Sequence, residues 1–152
     1  MSAIGASLAT HHVGLNVTDL DRSLAFYGEV LGFELLHEGT GDTRRYALLG
    51  QDGRLVLTLW QQAGESYDAG RAGLHHLAFE AESLDHVRAA EAALTARGAA
   101  FAYEGVVAHR EGAASGGIFF HDPDGTRLEI SVRHGAGGAP APSGEAPTCG
   151  FF

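Results

Sequence analysis

His11-His12-Val13-Gly14-Leu15-Asn16-Val17-Thr18-Asp19-Leu20-Asp21 returns 64 residues later as His75-His76-Leu77-Ala78-Phe79-Glu80-Ala81-Glu82-Ser83-Leu84-Asp85. No gap is needed to align the two. Both histidines, Leu20/Leu84 and Asp21/Asp85 match, and apolar residues recur at Val13/Leu77, Leu15/Phe79 and Val17/Ala81. The chain is therefore a duplicated module. A duplication that carries one histidine per copy can set two imidazoles about a shared centre, an arrangement that suits a metal ion.

Outward from each copy the pattern is the same. Alternating apolar residues make a strand, and an N-cap then opens a helix. Thr18 or Asp19 caps a helix predicted over Leu20–Leu31, stopped by Gly32, and Ser83 caps one over Leu84–Arg97, stopped by Gly98. Three strands follow each helix. In the first copy they are Phe33–Thr40, Arg44–Leu49 and, after Gln51-Asp52-Gly53, Arg54–Gln61. In the second they are Ala100–Val106, Gly116–His121 and, after Asp122-Pro123-Asp124-Gly125, Thr126–Arg133. Each half reads β-α-β-β-β, an α+β fold. The modules cover about 9–64 and 73–134 of one domain, 1–134, and a Gly/Pro-rich tail occupies 135–152.

Side chains alternate between the two faces of a strand. Val13, Leu15 and Val17 oppose His12, Gly14 and Asn16; Leu77, Phe79 and Ala81 oppose His76, Ala78 and Glu80; Leu128, Ile130 and Val132 oppose Arg127, Glu129, Ser131 and Arg133. With the apolar faces packed on the helices, His12, His76 and Glu129 come to the opposite, solvent-lined face. His11 and His75 fall on the apolar side. In the turn, Asp122 and Asp124 read as turn chemistry before they read as ligands.

Composition narrows the function. The chain has 152 residues, 45% of them hydrophobic, enough for a core. A net charge of −9 argues against nucleic acid and anionic membrane surfaces. Its ten cations are all arginine, so lysine chemistry is excluded. A single cysteine, Cys149, allows no intramolecular disulfide, and no apolar run reaches membrane-spanning length. Met1-Ser-Ala-Ile-Gly-Ala-Ser lacks the basic start of a signal peptide, so the expected location is the cytoplasm.

HHVGLNVTDLDRSLAFYGEVLG, LHHLAFEAESLDHVRAAEAALTARG and GGIFFHDPDGTRLEIS, spread over positions 11–131, resemble the vicinal oxygen chelate superfamily of glyoxalases, fosfomycin-resistance proteins, extradiol dioxygenases and bleomycin-binding proteins. The resemblance implies an open cup-shaped sheet with the helices on its outer face. It also implies a divalent metal, Fe(II), Mn(II), Zn(II) or Ni(II), at the positions matched by His12, His76 and Glu129. Four-ligand relatives take a further donor from the last strand of the first module. Aligning Asp52-Gly53-Arg54-Leu55 with Asp124-Gly125-Thr126-Arg127-Leu128 places Val56 opposite Glu129, with Leu57 as the near alternative, and neither binds metal. Three protein donors leave open positions for a small substrate with adjacent oxygens.

Trp60, Thr58, Phe119 and His121 are the candidate substrate wall, and His109, in a loop, is the candidate acid/base. Extradiol-type oxygenation, glyoxalase-type isomerisation or fosfomycin-type thiol transfer, and metal-free drug binding are the three classes in competition. A homodimer is expected, with Phe151-Phe152 as an apolar anchor.

Overall fold

The computed structural model describes residues 7–150 and 152. The chain divides into two compact units, Met1–Gly64 and Glu65–Phe152. The reading Met1-Ser-Ala-Ile-Gly-Ala-Ser lies outside the described residues except for Ser7, as does Phe151.

In the first unit the order is β1 (Val13–Val17), helix α1 from Leu20, β2 (Glu34–Gly41), β3 (Arg44–Gln51) and β4 (Arg54–Gln61). The strands form one sheet in the order β1-β4-β3-β2, with β1 parallel to β4 and the other pairs antiparallel. In the second unit β5 (Leu77–Glu80), α2 (Leu84–Ala96), β6 (Val107–Ala108), β7 (Gly116–His121) and β8 (Arg127–Val132) give β5-β8-β7-β6, again with the first strand parallel to the last. The fold is α+β: two four-stranded mixed sheets with one main helix each. The same connectivity in both units is what the repeat predicts.

The caps act as the sequence indicates. Asp19, at an extended φ of −143°, accepts from the Arg22 amide at 3.0 Å, and Ser83 accepts from the His86 amide at 3.3 Å. Helix α1 departs from the expected regular helix over Leu20–Leu31. It is α-helical over Leu20–Leu24 and then widens into a π-turn over Ala25–Val30, where the Leu31 amide donates to the Phe26 carbonyl. The wider turn lets neighbouring residues share a face, and both Phe26 and Tyr27 are buried there, ring to ring at 5.1 Å. Gly28, a poor helix former, sits in the same turn.

A second departure is the strand expected over Ala100–Val106. There only an isolated bridge, Phe101 to Phe120, forms, and the two-residue β6 follows just beyond it at Val107–Ala108. Beyond β6 the sheet edge is completed by the tail. The Ala108 amide donates to the Pro140 carbonyl at 2.7 Å, the Glu111 amide to Gly144 at 2.7 Å and the Thr148 amide to His109 at 2.8 Å. Residues 135–150 are thus docked on the second unit, the backbone groups of an exposed edge finding partners within the chain.

The core of each unit follows strand parity. Leu15, Val17, Leu57 and Leu59 are buried in the first, and Ile118, Phe120, Leu128 and Ile130 in the second. In the aspartate turn, Asp122 Oδ1 accepts from the Asp124 and Thr126 amides, both at 2.9 Å, which is the turn chemistry expected of it.

Candidate metal centre

In the second unit, β5 and β8 run parallel with Ala78 opposite Glu129, and β7 sets Phe119 opposite Glu129 from the other side. Glu129 therefore stands in the middle of the sheet, on the face that strand parity assigns to it. That face is not solvent-lined at this point: Glu129 is 3% exposed. Its Oε1 meets His109 Nε2, and its Oε2 lies 3.7 Å from His76 Nε2. Ser115 Oγ holds the other nitrogen of His109 at 2.8 Å, so that ring is fixed at both ends.

Cys149, within a short 3-10 turn of the tail (Thr148–Gly150), completes the cluster. One donor atom each from His76, Glu129 and Cys149 lies within 4.8 Å of the others. Burial lowers the pKa of His76 below the ordinary histidine value, the Glu129 charge opposing the shift, which keeps a lone pair available. Burial and, after it, the charge of the same carboxylate push the Cys149 thiol up, which favours its protonated form. A buried carboxylate facing a neutral imidazole and a thiol is a donor set suited to a divalent transition metal.

Phe119 and His121 share the Glu129 face. Phe119 is fully buried, with the Phe152 ring 4.9 Å away and the Tyr103 ring 5.6 Å away. His121 has its ring 6.1 Å from Phe152.

In the first unit His12 precedes β1 and is exposed, its Nδ1 2.7 Å from that of His11; His75 and His76 repeat the contact at 2.8 Å. Thr58 and Trp60 lie on β4, opposite Gly14 and Asn16 of β1. The face assignment holds: a Cβ on Gly14 would stand 3.1 Å from Thr58 Oγ1. Thr58 accepts from Trp60 Nε1 at 3.2 Å, and Trp60 stacks on Tyr46 at 4.9 Å.

The register corrects one alignment. Gly14 pairs with Thr58 as its repeat equivalent Ala78 pairs with Glu129, so Thr58, and neither Val56 nor Leu57, is the counterpart of Glu129. The turns mislead because β3 and β4 shift register between Leu49 and Gly50. The conclusion about donors survives: that position holds a neutral hydroxyl in place of a carboxylate.

Sequence reasoning missed the approach of Cys149 and Ser115. No spacing connects them to His76, since backbone hydrogen bonds of an irregular tail and loop bring them in. The one signal was the apolar end of the Gly/Pro-rich tail.

Paired β-α-β-β-β units, each with its first strand parallel to its last, define the class. The chain belongs to the Glyoxalase/Bleomycin resistance protein/Dioxygenase superfamily, whose profile matches residues 9–130. It is 34% identical over 136 residues to a lactoylglutathione lyase of Salmonella typhimurium, covering 83% of this chain and 93% of that one. It is 30% identical over 125 residues to the catechol-2,3-dioxygenase of Bacillus subtilis, covering 78% of this chain but spanning only 40% of that protein's length. A probable chloroplastic lactoylglutathione lyase of Arabidopsis thaliana matches at 33% over 132 residues, 80% of this chain and 35% of that protein. Among solved structures, a glyoxylase/bleomycin resistance protein/dioxygenase domain from Frankia sp. EAN1pec superimposes with a TM-score of 0.72 at 30% identity, covering 85% of this chain and 100% of that one. No helix among the described residues is long and apolar enough to cross a membrane.

Proposed function

We propose that the protein is a metal-dependent enzyme acting on a small substrate with two adjacent oxygens, with extradiol-type oxygenation as the first reaction to test. His76 and Glu129 hold the divalent metal; His12, the counterpart of His76 in the first copy of the motif, is the second imidazole that the resemblance implies. The observation that carries this reading is the Glu129 carboxylate, 3% exposed and faced by His76 Nε2 at 3.7 Å. His109 Nε2 meets one oxygen of this buried carboxylate, and the other, facing His76, is where a cation would compensate it.

Bound there, a divalent metal supplies Lewis acidity to both substrate oxygens. The chain's own residues do the rest. His109, braced by Ser115 and Glu129, is placed to hold or move a proton at Nε2. Its contact with Glu129 raises it from a loop histidine to a group within the site. In the second unit Phe119 and His121, both packed against Phe152, are the proposed wall for the body of the substrate; in the first unit Thr58 holds the indole of Trp60, the other aromatic candidate, in place.

Glyoxalase-type isomerisation is the second reading, favoured by the match along 93% of the Salmonella lyase. Against it, Thr58, its hydroxyl engaged by the Trp60 indole, stands where four-ligand members take their further donor. Anaerobic metal reconstitution followed by catechols, with and without oxygen, and by thiol-conjugated 2-oxoaldehydes separates the readings. Oxygen uptake with a catechol supports oxygenation, and turnover of the 2-oxoaldehyde adduct without oxygen supports isomerisation. A drug-like ligand bound equally by metal-stripped protein, with no turnover, overturns both in favour of a binding protein.

The homodimer belongs to the same proposal. Phe152 does not anchor it, being buried within its own unit.

A further inference from the structure

The tail does more than cover a sheet edge. Thr148, fully buried, is tied by its amide to the His109 carbonyl at 2.8 Å and by its hydroxyl to the Ala108 carbonyl at 2.8 Å. Both bonds fall on the loop that carries His109. They fix the next residue, Cys149, with its sulfur among the His76 and Glu129 donors. Past it, Phe152 lies 4.9 Å from the Phe119 ring and 5.8 Å from the His76 ring, with the Arg127 guanidinium 5.8 Å from its centroid. One segment thus brings a soft donor to the metal-ligating pair and an aromatic ring to the apolar wall beside it. A chelating aromatic substrate would bring oxygen donors and a ring to the same two places.

We propose that residues 135–150 and Phe152 are an intramolecular cap that occupies the site as a substrate mimic, Cys149 acting as a donor to the metal and Phe152 filling the place of the substrate's body. The inference rests on His76 and Glu129 holding a metal. On coordination the thiol S–H bond breaks, the sulfur keeps the electron pair as a thiolate donor and the proton passes to solvent. A substrate must then displace both groups, and binding is weakened by the fraction of time the cap is closed.

The full-length chain loaded with Co(II) tests this. A thiolate bound to Co(II) gives a near-ultraviolet charge-transfer absorption that histidine and carboxylate donors do not. The wild type is expected to show the band, and Cys149→Ser to lose it while still binding cobalt. Phe152→Ala, titrated with 4-nitrocatechol, is expected to bind about tenfold more tightly, the factor for a cap open roughly one time in ten. Cobalt bound without the band, and 4-nitrocatechol affinity unchanged in Phe152→Ala, overturn the cap but leave the metal reading intact. Failure of the wild type to bind cobalt overturns both.

Discussion

Thr58 of β4 occupies the register position that Glu129 occupies in β8, each directly opposite a small residue, Gly14 or Ala78, two places after the second histidine of its motif. The duplication has kept the backbone and changed the chemistry. One copy offers a buried carboxylate, the other a hydroxyl committed to an indole N–H.

That hydroxyl is assigned to Trp60 and not to metal. Thr58→Val is expected to leave metal content unchanged and to cost about 1 kcal/mol or less, because the indole is partly open to water. Trp60 is the only tryptophan, so its emission reads the change directly. A fall in metal content in this variant would make Thr58 a ligand and refute the assignment.

His109 is expected to act on protons, not on metal retention. His109→Asn should lower turnover by about 10²–10⁴-fold while metal content holds, the range for loss of a positioned acid/base group. Equal losses of metal and activity would show instead that His109 only supports Glu129.

Stability should depend on pH through His76. Burial holds its folded-state pKa below the ordinary value of 6.5, so between the two values the unfolded chain binds more protons and stability rises with pH. The contribution is present above pH 6.5 and is lost as pH falls through the lowered value. In chelator-treated protein, the gap in urea midpoint between wild type and His76→Asn should therefore shift against the wild type on acidification. A gap that is flat with pH contradicts this.

Light scattering on the full chain is expected to give the mass of a dimer. The mass of a single chain refutes the homodimer.

The fold was legible because it is written twice. His-His, the alternating strand and the cap at Asp19 or Ser83 recur at one spacing, and local rules sufficed for β1, β5 and both helix starts. Parity alone put Glu129 and Phe119 on one face. What it could not give was burial. Glu129, expected toward solvent, is covered by groups that arrive through an irregular tail, and hydrogen bonds such as Thr148 to Ala108 leave no periodic trace. The fourth-strand counterpart was misplaced for a similar reason, since the bulge near Gly50 shifts register without marking the sequence. The π-turn in α1 answers to the packing of Phe26 and Tyr27, which apolar spacing cannot distinguish from a regular helix.

The central claim is that His76 and Glu129 hold a divalent metal. Metal analysis of untagged protein, wild type beside His76→Ala and Glu129→Gln, tests it most directly. About one metal ion per chain is expected in the wild type and a small fraction of that in each variant, with the variants folded by circular dichroism. Full stoichiometry retained in folded His76→Ala would contradict the account.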